Sequence, residues 1–281
     1  MPVAVQTQLS DVETMEIELL LDGVYRLYGC DFRNYALASL RRRIWNSART
    51  EGVATISGLQ EKILHDRACM ERFLVQMSVS VTSVFRDPEF YAAIREKVIP
   101  HMRAHPFVRV WHAGCATGEE VYSMAIVLWE EGLYDRSRIY ATDMNEVVLA
   151  KAREGIVTSD NLAEYEANYK AAGGKAQLSD YYTAKYDRAI FRGSLKKNIV
   201  FAEHNLVTDS SFNEFNLIFC RNVMIYFNST LQARVHDLLY SSLRRLGVLA
   251  LGRKETLRGA TPHERNYEEL DERERIYRKV A

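Results

Sequence analysis

The 281-residue sequence has only four cysteines, Cys30, Cys69, Cys115 and Cys220, with no CxxC pair, and none of its seven histidines falls in an HExxH pattern. Neither a disulfide framework nor a zinc site is indicated, so reduced thiols and no metal are expected. No run of about 18 apolar residues occurs, and the opening MPVAVQTQLSDVETMEIELLL lacks the basic-then-apolar layout of a signal peptide. A cytoplasmic protein with no direct membrane insertion is the expectation. Charge of one sign is also not in excess: 37 Lys plus Arg stand against 37 Asp plus Glu. That balance excludes an overall basic field for nucleic acid and an acidic excess of the kind that keeps chains disordered. Internal repeats and low-complexity linkers are missing too.

What is present is a 47% apolar content, enough for a large core plus a small second unit at roughly 100–200 residues per domain. From Asp11 to about Met77, Val12, Ile17, Leu20, Leu21 and Val24, then Leu37, Leu40 and Ile44, then Ile63, Leu64, Met70, Phe73 and Leu74 recur at helical spacing. Gly29, Gly52 and Gly58 punctuate them. This pattern predicts an N-terminal helical domain over residues 1–84. Its run Arg41-Arg42-Arg43 reads, on sequence grounds, as a solvated helix face.

After Pro106 the character changes. VRVWHAG (108–114), RIYATDM (138–144), NIVFAEHNL (198–206), FNLIFCRNVMIYF (215–227) and GVLALG (247–252) are short runs rich in Val, Ile, Phe and Tyr. Amphipathic segments such as Glu119–Glu131 and Thr230–Leu246 separate them. Alternating strand and helix predict an α/β, Rossmann-like domain over 85–281, a parallel sheet covered on both faces. Residues 158–197 break the rhythm with irregularly spaced tyrosines, and read as an insertion, partly helical and ending in short antiparallel strands.

The stretch HAGCATGEE (112–120) reads strand, glycine turn, helix, the first βα unit of a doubly wound sheet, where ligands sit at the carboxyl ends of strands. Gly114 and Gly118 let backbone approach a ligand closely. No Lys-Ser/Thr pair follows, so it is not a Walker loop, and the full GxGxxG fingerprint is absent. Asp143 ends the next strand, where this architecture places an acid against ribose hydroxyls; capping the following helix is its alternative. Glu119 and Glu120 would repel a pyrophosphate but attract the sulfonium and ammonium of S-adenosylmethionine. Their bland role is that of acids in a helix's first turn.

WHAGCATGEEVYSMAI, YATDMNEVVLAKAREGI, AEHNL and IFCRNVMIYF, preceded by VTSVFRDPEFY, closely resemble the CheR family of chemotaxis-receptor methyltransferases, from about residue 15 to the C-terminus. The resemblance implies esterification of receptor glutamates, with S-adenosyl-L-methionine as cofactor and S-adenosyl-L-homocysteine as product. By matching position it implies that Glu120 contacts the methionine tail, Asp143 the ribose, and Asn205 and Leu206 the adenosine. Arg221 and Asn222 would line the cofactor, Ser80 and Thr82 would add contacts, and Arg86 and Tyr226 would lie near the transferred methyl. It also implies that Arg41, Arg42 and Arg43 steer acidic receptor helices in. The family's Gly-His-Ser-Glu is replaced by Gly252-Arg253-Lys254-Glu255, two positive residues at the expected rim.

A glutamate acceptor, with a reference pKa near 4.3, is already an anion at neutral pH, so no general base is required. The remaining work is positioning and desolvation, with Arg86 as the fork that orients the acceptor carboxylate. A methyl-accepting chemoreceptor is the expected partner, nucleic acid is not, and a monomer suffices. Two other readings stay open: a non-catalytic S-adenosylmethionine sensor or scaffold, and a methyltransferase for small carboxylic acids.

Overall fold

Four helices account for the N-terminal periodicity in the computed structural model, which describes residues 11–78 and 82–281. They are α1 (Asp11–Tyr28), α2 (Leu37–Thr50), α3 (Ile56–His65) and α4 (Arg67–Met77). Ile17, Leu20, Leu21 and Val24 of α1, Leu40 and Ile44 of α2, Leu59 and Ile63 of α3, and Met70 and Phe73 of α4 are buried. Val12 and Leu37, counted in the apolar stripe, are instead exposed. Gly58 does not separate helices. It lies in the first turn of α3, where its N–H donates to the Oγ1 of the N-cap Thr55 at 3.0 Å.

The arginine run of α2 fans out, because successive helical residues turn by about 100° around the axis and three in a row cannot share a face. Arg41 forks onto Glu13 (2.7 and 3.2 Å), which also accepts from Trp45 Nε1 at 2.6 Å. Arg42 is exposed. Arg43 points inward, 5% exposed, and donates to Met77 O and Ser39 Oγ. The expectation of three steering arginines is corrected on this point: Arg43 is a core residue that joins α2 to the end of α4.

The chain divides into two units, Met1–Val79 and Ser80–Ala281. The second opens with α5 (Pro88–Ala93), which runs through a π turn at Ile94–Val98 into α6 (Ile99–Arg103). There follow β1 (Val108–Ala113), α7 (Glu119–Glu130), β2 (Ser137–Asp143), α8 (Glu146–Glu154), β3 (Ile156–Thr158), α9 (Leu162–Ala171), β4 (Tyr182–Lys185), β5 (Arg188–Phe191) and α10 (Gly193–Lys196). The chain ends with β6 (Ile199–Glu203), β7 (Phe215–Cys220), α11 (Ser229–Ser242), β8 (Leu243–Leu251), β9 (Tyr267–Asp271) and β10 (Ile276–Lys279). The large sheet has the order β6-β2-β1-β7-β8-β10-β9.

The five predicted strands pair in parallel, with Val110 opposite both Ile139 and Leu217. All six residues of β7 are buried, as a central strand covered on both faces requires. The order reverses between β1 and β7, which puts the ligand crevice of such a sheet at their carboxyl ends. Two features differ from the expectation. The antiparallel β10 and β9 make the sheet mixed. The helix expected to reach Leu246 stops at Ser242, because Leu243 turns extended (φ −92°, ψ 124°) to pair with Phe215. The insertion carries the expected antiparallel strands as a sheet of order β3-β5-β4, starting at Ile156. Glu130, at the end of α7, holds it by accepting from Tyr169 Oη, Tyr181 Oη (3.0 Å) and Lys175 N (3.0 Å).

His236 lies on the buried face of α11, 2% exposed, and burial pushes its pKa down to about 4. An unfolded imidazole takes up its proton near pH 6.5, so between these values the unfolded chain binds more protons than the folded one. Folding stability is therefore complete above pH 6.5 and falls as pH drops toward 4, by up to about 3 kcal/mol from this group. Urea titrations across that window should show the loss, and His236→Gln should flatten it. An unchanged slope in the variant would assign the acid sensitivity elsewhere.

Candidate active site

The glycine turn leaves β1 with Gly114 at φ 78°, and a Cβ there would lie 2.7 Å from Val223 Cγ2 in the loop that follows β7. Gly118, at φ 91°, brings the start of α7 against Ala152, whose Cβ would be 3.0 Å from an added Cβ. Both positions combine left-handed backbone with close approach, and only glycine meets both demands. Between them Ala116 also takes a positive φ, 48°. It is held there by Asp143, whose Oδ2 accepts from Ala116 N at 3.0 Å while Oδ1 accepts from Asn145 N at 3.1 Å. The cap of α8 is Asn145 itself, whose Oδ1 accepts from Val147 N at 2.9 Å. Asp143 thus locks the end of β2 to the glycine turn. Burial raises its pKa, partly offset by the bonds from Ala116, Asn145 and Met144.

Glu120 points back toward the sheet. Its Oε1 meets His112 Nδ1 at 3.0 Å and its Oε2 accepts from Arg221 Nη1 at 2.9 Å. Burial alone would push the Glu120 carboxyl up, but the His112 hydrogen bond and the Arg221 charge bring it below the usual range. The Arg221 side chain is 1% exposed; its Nη2 donates to Asp87 Oδ2 at 2.7 Å and its guanidinium lies 3.8 Å from the centre of the Phe90 ring. His112 stacks on Phe219 at 4.4 Å.

Asp87 follows Arg86, a half-buried residue set between two left-handed neighbours, Phe85 (φ 51°) and Asp87 (φ 56°). Phe85 is fully buried against Tyr91 and Tyr169, and its N–H donates to Ser123 Oγ at 2.8 Å. Among the described residues seven besides glycine take positive φ, and four of them, Phe85, Asp87, Ala116 and Asn222, lie in the loops of this site. Backbone strain that clusters so is a mark of function.

The remaining candidates also follow strand ends. Asn205 and Leu206 come after β6. Asn205 Oδ1 accepts from Val207 N and its N–H donates to Asp209 Oδ2, both at 2.9 Å, so it closes its own turn. Leu206 is buried. Asn222 and Tyr226 come after β7 and are half-buried, as is Thr82. Ser80 lies outside the described residues.

Sequence reasoning passed over four residues of this cluster: His112, Asp87, Ser123 and Glu255. Glu255 is 6% exposed, and its carboxylate accepts from the backbone N–H groups of Gly252 (2.6 Å), Asn222 (2.9 Å), Val223 (2.9 Å) and Met224 (2.8 Å). It pins the loop that carries Asn222 and Tyr226. The run Gly252-Arg253-Lys254-Glu255 contained the signal, overshadowed by its two cations. Arg253 forks onto Glu274 (2.8 and 3.0 Å) and reaches Glu89 at 3.0 Å, so its charge is matched. Lys254 is exposed.

The crevice is rich in acceptors. Asp143 suits hydroxyls, and the carboxylates of Glu119 and Glu120 in the first turn of α7 suit cations. These residues fit a phosphate-free, cationic nucleoside and disfavour a pyrophosphate. Fold and site define an S-adenosylmethionine-dependent methyltransferase, and comparison with known proteins agrees. Residues 80–272 match the family described as CheR methyltransferase, SAM binding domain, and residues 15–78 match CheR methyltransferase, all-alpha domain. The chain belongs to the CheR methyltransferase family, and its cofactor is S-adenosylmethionine. It is 46% identical over 265 residues to the Pseudomonas putida protein named Cher3, covering 94% of this chain and 97% of that one. It is 28% identical over 236 residues to the chemotaxis protein methyltransferase of Listeria monocytogenes, covering 83% and 87% of the two chains. The chemotaxis protein methyltransferase of Borreliella burgdorferi is 28% identical over 268 residues, 87% and 92% of the two chains.

The Glu255 clamp makes a specific demand on substitutions. Glu255→Ala leaves four N–H groups, two of them buried, without their acceptor, and Glu255→Gln sets an amide donor among donors. Both should lower the unfolding free energy by about 2–4 kcal/mol in urea titrations. Near-complete rescue by Gln would mean that solvent already serves those N–H groups.

Proposed function

We propose that the protein esterifies glutamate γ-carboxylates of methyl-accepting chemoreceptors or related signalling proteins. The observation that carries this reading is the loop of Arg86: a guanidinium on strained, doubly anchored backbone beside the acid-lined crevice. Relatives named chemotaxis protein methyltransferases support the choice of acceptor. When bound, S-adenosylmethionine supplies a methyl group on a sulfonium sulfur. Glu120 holds the cationic tail, Asp143 the ribose, and Asn205, Leu206, Asn222, Thr82 and Ser80 complete the cofactor's surroundings. Arg86 orients one oxygen of the acceptor carboxylate so that the other faces the methyl, and Tyr226 shapes that end of the site. The nearby imidazole, His112, is fully buried with its Nδ1 on Glu120. A carboxylate, ionised above about pH 4.3, asks for no base.

Incubation with methyl-labelled S-adenosylmethionine and host membranes should give alkali-labile labelled methanol from a receptor-sized band. Arg86→Ala should lower turnover far more than cofactor affinity, and Asp143→Ala should do the reverse. Cofactor binding without any labile methyl would favour a sensor or scaffold, and methylation of acidic metabolites alone a small-molecule enzyme. Equal loss of cofactor binding in both variants would overturn the two roles.

The helical unit offers a docking face. A groove of about 1020 Å³ on α2 is lined by Arg41, Arg42, Trp45 and Arg49 among others. An acidic receptor helix is its fitting occupant, through charge that steers encounter. Arg42→Glu should slow methylation of receptor and weaken its salt dependence while leaving cofactor affinity unchanged. A rate equal to wild type at low salt would remove the docking role.

A further inference from the structure

The buried guanidinium of Arg221 joins two loops that carry different halves of the chemistry. Nη1 reaches Glu120 at 2.9 Å in the first turn of α7, on the cofactor side, and Nη2 reaches Asp87 at 2.7 Å, next in the chain to Arg86. The face of the same group rests on Phe90 of α5. A planar fork packed on a ring and 1% exposed cannot turn toward one carboxylate without moving from the other. The other anchor of the Arg86 loop leads to the same turn of α7, since Phe85 N–H donates to Ser123 Oγ, which in turn donates to Glu119 O at 2.7 Å. Phe85 and Asp87 would each relax from left-handed backbone if these anchors were released, a conformation that costs non-glycine residues about 1–2 kcal/mol.

We propose that Asp87 is a positioning residue which, through Arg221, sets the Arg86 loop according to the occupancy of Glu120, so that a bound cofactor orders the acceptor-orienting arginine. The inference rests on the methyl-transfer reading for its consequence, but its physical content is a coupling between two loops. Arg221 then acts as a strut between the loops rather than as a direct contact of the cofactor.

The test uses Asp87→Asn in the full chain. Asparagine tolerates left-handed backbone, so the variant keeps the turn and removes the charge. Two quantities are read without any acceptor: the dissociation constant for S-adenosylhomocysteine, and amide exchange of the segment 82–93 with and without that ligand. In the wild type, saturating ligand should slow exchange of the segment by about 5-fold or more. In Asp87→Asn the ligand should bind within about 3-fold of wild type while the slowing falls below about 2-fold. Turnover on receptor should fall by about 10- to 100-fold with KM for S-adenosylmethionine little changed. Arg221→Lys, which keeps the charge and loses the fork, should likewise uncouple exchange from binding. Equal slowing in Asp87→Asn and wild type, no slowing in wild type, or a fall in ligand affinity that tracks turnover would each overturn the proposal. Wild-type protein that forms no methyl ester would defeat the acceptor reading alone, because the exchange comparison still decides the coupling.

Discussion

The site depends on one buried guanidinium shared between two carboxylates. Isolated in the interior, Arg221 would be held at great cost, and it is there because Glu120, Asp87 and the face of Phe90 replace its water. Such an arrangement contributes little net stability, since desolvation offsets most of the attraction. Its value lies in geometry. Three segments that are distant in sequence, the turn before α5, the first turn of α7 and the end of β7, are brought to fixed positions by a group with a rigid shape. Loss of either acid would leave the buried Arg221 with one carboxylate instead of two, and loss of Arg221 would leave the buried Glu120 without its cation.

Glu255 has the corresponding role in the loop after β8, the next strand of the sheet. There the partners are backbone N–H groups rather than a cation, and the loop that receives them contains Asn222 at φ 60°. Both clamps use a carboxylate to hold strained backbone near the carboxyl end of β7. Asp143 uses a third for Ala116 after β1. Acids thus set the walls of the crevice at three strand ends. The wall contacts of Asp143 and Glu120 leave room for further donors, because a carboxylate offers about four lone-pair sites.

Much of this was legible in the sequence, for a physical reason. Central parallel strands are covered on both faces, so β1, β2 and β7 announce themselves as short runs rich in Val, Ile, Phe and Tyr, and glycines with left-handed backbone mark the turn between β1 and α7. The helical unit was legible from spacing. What escaped were features that depend on partners far along the chain. YEELD and IYRK form an edge hairpin whose alternation is weak in isolation. Arg43 looks like its neighbours until the end of α4 supplies Met77 O. Glu255 stands in a run of charge and is distinguished only by the loop folded over it.

Matching positions to a family conveys residue identity but not the direction in which a side chain points, and Arg221 shows the difference. At the carboxyl end of a central strand, an arginine beside a cofactor crevice reads as a cofactor ligand. In the fold its two Nη atoms are already bound to Glu120 and Asp87, and the guanidinium is buried between them. A residue can therefore belong to the site by joining its loops, and the sequence signal for that link is a set of acids spaced far apart, here at 87 and 120. Neither acid alone reveals the link. Only the convergence of both on one guanidinium does, and that convergence is a property of the folded sheet rather than of any motif.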